Sequence, residues 1–243
     1  MDLKIKDVAD LLNVSEATVQ CWVLDGKIPA YRLNHQYRFS RSEIENWVMN
    51  HKLGVEKGGN RSQVNPQVVF EDLTDENRIK NLGMRQFSFY RAVHRGGVRH
   101  QVFGETKEEV IRSTMKGVAK GLDLDAEVLT DLLLDRENLM PTALNNGIAV
   151  PHTRDFLLKA HFDAIVVVFP KKEIEYGSLD GEPVHTLFFL FACEDKRHLH
   201  LLAKVAHFST CTKTLEFLRS RPSEQKLLSY IKDWESQAQL LMR

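Results

Sequence analysis

The sequence is poor in cysteine, has no excess charge of either sign and contains no long apolar run. Its three cysteines, Cys21, Cys193 and Cys211, are odd in number, and no two have C-x-x-C spacing. Neither a disulfide framework nor a zinc ribbon is indicated, and a reducing compartment fits the count. Lys and Arg number 33 and Asp and Glu also 33, so the chain as a whole is not a basic coat for nucleic acid; any such contact has to come from local clustering. The longest apolar runs, Ala164–Phe169 and Leu187–Cys193, fall far below the roughly 20 residues of a membrane helix. The opening MDLKIKDVADLL alternates charged and apolar residues, unlike a secretory leader. These absences predict a soluble, cytoplasmic protein without a structural metal.

What is present is a chain of 243 residues, 43% of them hydrophobic, enough for one or two domains at about 150 residues each. Residues 1–52 are compact and patterned. The stretch LGVEKGGNRSQVNP from Leu53 is rich in Gly, Asn, Ser and Lys without apolar period and reads as a linker. Gln67–Gly83 fits either state, so 53–83 is set aside as linker and ambiguous segment. From Met84 to the end, helical and strand-like patterns alternate, predicting an α/β domain over 84–243.

In the first zone Val8, Leu11 and Leu12 form the inner face of a helix. Ser15 caps a second helix, on which Val19, Trp22 and Val23 make an apolar stripe at i, i+3, i+4 and Thr18 and Gln20 lie on the other side. Gly26 breaks that helix, Pro29–Phe39 reads as a hairpin around Asn34-His35, and a third helix from Arg41 turns Ile44, Trp47 and Val48 inward. The run DVADLLNVSEATVQCWVLDGKIPAYRLNHQYRFSRSEIENWV resembles the winged helix-turn-helix of the excisionase and MerR type. The resemblance implies a second helix that enters the major groove of double-stranded DNA, with Thr18 and Gln20 as base readers. Lys27, Arg32, Arg38 and Arg41 would contact phosphates. Two features depart from that pattern: Gln20 stands where many relatives have Arg or Lys, and cations and anions balance within the module.

In the second zone Thr106 with Glu109 makes a capping box for a helix over 107–120, with Gly121 as its C-terminal cap. Asp125 caps a helix carrying Val128, Leu129, Leu132 and Leu133 on one face. AIVVVF and HTLFFLF read as buried strands, and His198–Phe208 and Ser223–Leu240 as helices. Between them lies Asn145-Asn146-Gly147-Ile148-Ala149-Val150-Pro151-His152: a tight turn, a short strand, and a proline that holds Val150 extended and delivers His152 at the mouth of the sheet.

That segment, together with Asp135-Arg136-Glu137 before it and KRHLHLLAKVAHF after it, resembles the enzyme IIA domain of the phosphotransferase system, fructose/mannitol/nitrogen-regulatory class. The resemblance implies a mixed sheet flanked by helices and a phosphohistidine carrier fed by an HPr-type phosphocarrier protein. A IIB component or a regulated target would receive the phosphate, and homodimers occur among the expectations. His152 is then the phosphorylated acceptor. Arg136 matches the arginine kept near it, a guanidinium fork suited to phosphate oxygens. His198 matches the second histidine, with His200 the alternative register. Thr142 and Asn146 are weaker pocket candidates. Imidazole suits the role because its neutral ring nitrogen is available at cytoplasmic pH. No cofactor is implied.

Two other readings stay open at this level. One is a transcriptional regulator whose IIA-like domain is an unphosphorylated sensor or dimer scaffold, motivated by Pro141–Asn145, where relatives often have a Ser/Thr-Gly-rich stretch. The other is a hydrolase pairing His152 with Asp135 or Asp155, which no nucleophile elbow accompanies. A zinc site from His152, His198 and His200 has no supporting cysteine or carboxylate spacing.

Overall fold

The computed structural model describes residues 2–12, 14–33, 36–51, 87–153 and 162–240. The predicted linker, the Asn34-His35 turn and Asp155 lie outside them.

The first elements are β1 (Asp2–Leu3), α1 (Ile5–Leu12), α2 (Glu16–Leu24), β2 (Tyr31–Leu33), β3 (Gln36–Ser40) and α3 (Arg41–His51). Ser15 Oγ accepts the Thr18 amide at 3.0 Å and starts α2. Strand β3 pairs antiparallel with β2 and with β1, with Leu33 opposite Gln36. Val8, Val19, Phe39, Ile44 and Val48 form the core of this unit, and Trp22 stacks obliquely on Trp47 at 5.4 Å.

The remainder is a mixed sheet covered by helices: α4 (Ser88–Gly96), β4 (Val98–Val102), α5 (Lys107–Val118), a 3-10 turn (Ala119–Leu122), α6 (Ala126–Leu139), β5 (Ile148–Ala149), β6 (Ala164–Pro170), β7 (Thr186–Phe191), α7 (Asp195–Phe208), α8 (Thr212–Arg219) and α9 (Glu224–Leu240). The strand order is β4-β6-β7-β5. The outer pairs run parallel and the central β6–β7 pair antiparallel. Period-two alternation divides the central strands between two cores. Ile165, Val167, Phe169, Phe188 and Leu190 face α4, α7 and α9; Val166, Val168, Leu187 and Phe189 face α5 and α6. Both faces are covered, so these strands read as unbroken apolar runs. At Gly96 a Cβ would stand 2.3 Å from the Ile165 carbonyl oxygen; only glycine lets α4 lie this close to β6.

Thr106 and Asp125 cap α5 and α6 as the sequence predicts. Two local details differ. Gly121 does not cap α5; the helix tightens into the 3-10 turn, and Asp123, at φ 57°, takes the left-handed position, which a short acidic side chain tolerates. Val128 does not share the inner face of α6 with Leu129 and Leu133 but is exposed.

The first unit does not stand apart. Helices α1 and α3 pack on α7, and the core of the small unit is continuous with the α4–α7–α9 layer.

Candidate functional site

The turn before β5 carries two residues in the left-handed region, Asn146 (φ 64°) and Gly147 (φ 73°). The Asn146 amide donates to Asp180 Oδ2 at 2.6 Å. A Cβ on Gly147 would meet the His185 ring at 2.5 Å and the Pro183 carbonyl oxygen at 2.9 Å, so glycine is required there by both space and backbone. Strand β5 then pairs with β7, and the alignment continues past Pro151, whose carbonyl accepts the Leu190 amide at 2.9 Å, to His152 beside Leu190. His152 is thus delivered at the end of a strand, in register with the sheet.

Its ring is wholly shielded (0% exposed). Nδ1 lies 2.7 Å from the Val150 carbonyl oxygen. A carbonyl only accepts, so Nδ1 carries the proton and donates it, and the neutral ring has its lone pair on Nε2. The sequence reading did not find this contact, because it involves a backbone atom two residues back.

His198 comes from the first turns of α7. Its ring meets that of His152 edge-on, centroids 5.1 Å apart, and it is 1% exposed. The start of α7 is pinned by Arg197, whose Nε and Nη2 reach Asp163 Oδ2 at 2.8 and 2.7 Å; Asp163 Oδ1 accepts the Cys193 amide at 3.2 Å. His200, two residues on, points elsewhere, with Nε2 at 3.1 Å from Ser88 Oγ. The geometry therefore joins His198, and not His200, to His152.

Arg136 is buried in the last turn of α6, where Nη1 donates to the Met140 carbonyl at 3.0 Å. Beside it, Glu137 accepts the Thr142 amide at 3.0 Å and its hydroxyl at 2.6 Å. Burial pushes the Glu137 carboxyl upward, against the Thr142 hydrogen bonds. Thr142 is occupied in fastening α6 to the segment that leads into the Asn146 turn, and Arg136 ties off the end of the same helix. Asp135 is exposed. Among the described residues no group of three or more His, Cys, Asp or Glu is arranged to hold a metal ion, and no helix is long and apolar enough to cross a membrane.

A carboxylate from the N-terminal unit lies beside His198. Glu45 of α3 is 0% exposed, with Oε1 3.9 Å from His198 Nε2. Arg41, one turn earlier, pairs with Glu45 at 3.1 Å and with Asp195 of α7 at 2.6 Å. Neither Glu45 nor Asp195 stands out in the sequence: Glu45 reads as one of several charges on an amphipathic helix. Of the residues predicted to meet DNA, Arg41 is thus turned to α7. Gln20, Lys27 and Arg32 are exposed, and Thr18 and Arg38 half-buried. Lys27 pairs with Asp25 at 2.9 Å, Arg38 donates to Gln36 Oε1 at 2.8 Å, and the Thr18 hydroxyl bonds that of Ser15 at 2.8 Å.

Comparison with known proteins accords with this architecture. The family described as phosphoenolpyruvate-dependent sugar phosphotransferase system, EIIA 2, matches residues 94–234, and a helix-turn-helix domain family matches residues 3–52. The nitrogen regulatory protein of Escherichia coli (strain K12) is 31% identical over 147 residues, 59% of this chain and 88% of that protein. The nitrogen regulatory protein of Pseudomonas aeruginosa is 31% identical over 133 residues, 54% and 85% of the two chains. Nitrogen regulatory protein IIA-Ntr from Neisseria meningitidis shares the fold, with a TM-score of 0.51 at 22% identity over 56% of this chain and 93% of that one. EIIA domains are phosphotransfer components. With more than half of its length so matched, behind a helix-turn-helix domain, the chain belongs to the EIIA type 2 family of the phosphoenolpyruvate-dependent phosphotransferase system.

Proposed function

We propose that the chain is a regulatory phosphocarrier that accepts a phosphoryl group from an HPr-type donor on Nε2 of His152. The observation that carries this reading is the Nδ1–H···O=C bond from His152 to Val150. It holds the ring in the tautomer whose Nε2 is nucleophilic. In the transfer, the bond between phosphorus and the donor's imidazole nitrogen breaks, and that nitrogen keeps the electron pair. The Nε2 lone pair forms the new P–N bond, and the single ring proton stays on Nδ1. No general base is needed. The remaining work is positioning and stabilisation of the charge spread over the phosphoryl oxygens. His198 serves as hydrogen-bond donor to them, and Arg136 as the nearby cation, with Thr142 and Asn146 shaping the rim.

Residues 84–243 form the carrier domain, 1–52 a module for double-stranded DNA, and 53–83 the connection, all in the cytoplasm. Thr18 and Gln20 read bases while Lys27, Arg32, Arg38 and Arg41 meet phosphates. Likeness to nitrogen regulatory proteins, together with the fused module, favours control over sugar uptake; a IIB component or a regulated target receives the phosphate. A second reading, a transcriptional regulator whose C-terminal domain never takes phosphate, draws on the shielding of His152 Nε2 from solvent.

One assay separates the two. The full chain is incubated with phosphoenolpyruvate, enzyme I and HPr, and its intact mass is measured. The phosphocarrier reading expects one added phosphate in the wild type and none in His152→Ala. An unchanged wild-type mass, or phosphate retained by the variant, overturns it.

A further inference from the structure

The shielding of His152 poses a mechanical problem. In-line attack needs the donor's phosphorus at roughly 3 Å from Nε2, yet the Nε2 atoms of both His152 and His198 are closed to solvent, as is Glu45 Oε1. No donor protein reaches the acceptor until something covering it moves.

The structure identifies a cover with the right chemistry. Helix α3 of the N-terminal module lies on α7 and places the Glu45 carboxylate 3.9 Å from His198 Nε2. In the proposed transfer that histidine is the one that serves the phosphoryl oxygens. Glu45 thus occupies the place of an anion at the site before any phosphate arrives. The contact is fastened at its edges by charge: Arg41 bridges Glu45 and Asp195 at 3.1 and 2.6 Å, and Asp7 of α1 faces Lys196 of α7 at 3.9 Å. One imidazole cannot serve a buried carboxylate and a phosphoryl dianion together, since like charges a few ångströms apart in a water-poor site repel strongly.

Resting on the phosphocarrier reading above, we propose that the helix-turn-helix module is a phosphorylation-released cap. Docked, it mimics the phosphoryl anion through Glu45 and closes the face of α7 on which the donor docks. Phosphate on His152 displaces Glu45 from His198 and detaches α1 and α3 from α7. Detachment frees Arg41 for DNA and uncouples the module's orientation from the carrier domain. By linkage, the docked module lowers the phosphate affinity of His152 by the same factor by which phosphate weakens docking.

The test uses the full chain. Spin labels are placed on the exposed Cys21 of α2 and the exposed Cys211 ahead of α8, with Cys193→Ser to keep labelling to those two. The distance distribution between them is measured before and after treatment with phosphoenolpyruvate, enzyme I and HPr, and intact mass is taken on the same samples. The cap predicts one narrow distance before treatment and a longer, broader distribution once phosphate is on. Arg41→Glu, which sets like charges against Asp195, is expected to give the long distribution without phosphate. Glu45→Gln is expected to take phosphate on the order of tenfold faster than wild type, a coupling of ordinary allosteric size. Phosphate on the mass with an unchanged distance overturns the cap and leaves the phosphocarrier reading standing. No phosphate on the mass overturns both. Arg41→Glu with the narrow wild-type distance, or Glu45→Gln phosphorylated no faster, also overturns the cap.

Discussion

Two glutamates, each almost fully removed from solvent, pack against α7 and behave as opposites. Glu235 of α9 belongs to the carrier domain and is saturated there. It accepts the amides of Phe89 and Tyr90 at 3.2 and 2.9 Å and an ion pair from Lys204. Phe87, at the N-cap of α4, offers no side-chain cap, so Glu235 supplies from another helix the acceptors that the first turn of α4 lacks. Glu45 of α3 crosses from one unit to the other, pairs with a half-buried arginine and faces a histidine. Burial alone therefore does not say what a carboxylate is for. A carboxylate whose donors share its domain holds the fold. Glu45 takes its nearest cation, Arg41, from its own helix and adds a histidine of the other unit, the contact that the proposed cap breaks.

The comparison breaks most visibly at Glu235. Replacing it with alanine orphans the amides of Phe89 and Tyr90 and takes from Lys204, already pushed down by burial, its anion, leaving it the Ser88 hydroxyl. A loss of about 3–5 kcal/mol is expected, read as a fall in the denaturant midpoint. A loss below about 1 kcal/mol would show that water takes over its role. Next in size is Gly147→Ala in the turn that delivers His152. The new Cβ at 2.5 Å from His185 and the left-handed φ together should cost about 1–3 kcal/mol, and the displaced turn should slow phosphorylation of His152 even where the variant stays folded. Unchanged phosphorylation by HPr would mean that the turn does not set the ring's position.

Much of this molecule is legible in its sequence, and the boundary follows the range of the interactions. Ser15, Thr106 and Asp125 cap helices through bonds spanning two or three residues, so local residue types suffice to find them. The two central strands declare themselves as apolar runs because both faces are buried. Asn146-Gly147 and Pro151-His152 are readable because turn and register are local. Gly121 misleads because a helix end has several ways to close, and Asp123 could take the left-handed position instead. Strand β4 exposes Arg99, His100 and Gln101 and lacks the apolar run that marks its neighbours. Glu45 beside His198 is invisible for a different reason: the pair is 153 residues apart in sequence, and nothing in RSEIENW distinguishes a carboxylate bound for solvent from one bound for a histidine of the other unit. Likewise His185 looks like any histidine until the fold places it under the Gly147 turn.

His185 supplies the next prediction, smaller and pH-dependent. Burial and the nearby Arg219 push its pKa down to about 4. The unfolded chain therefore binds this proton near pH 6.5 while the folded one does not. The stabilisation is fully present above pH 6.5 and is lost as the pH falls towards 4. Between pH 7 and 5.5 the carrier domain should lose about 1 kcal/mol from this group alone, and His185→Asn should flatten that part of the stability profile. A variant with the wild-type slope would assign the pH dependence to other groups. Because His185 packs under the same turn as Gly147, acid should also loosen the delivery of His152.

The smallest expected effect decides the comparison of the two glutamates. In Glu45→Gln the amide oxygen still accepts from Arg41, and Arg41 keeps Asp195 at 2.6 Å, so no cation is stranded. His198 loses a charged neighbour rather than an indispensable partner. The denaturant midpoint should therefore correspond to a stability within about 1 kcal/mol of wild type, the difference between a charged and a neutral hydrogen-bond acceptor for the same guanidinium. The same charge-removing change at Glu235 takes from Lys204 the anion it pairs with and puts an amide nitrogen among the Phe89 and Tyr90 donors, and should cost several times more. If Glu45→Gln instead lost as much as Glu235→Gln, Glu45 would be cementing the two units into one, and phosphate on His152 would have to overcome a contact of that strength before α3 could leave α7.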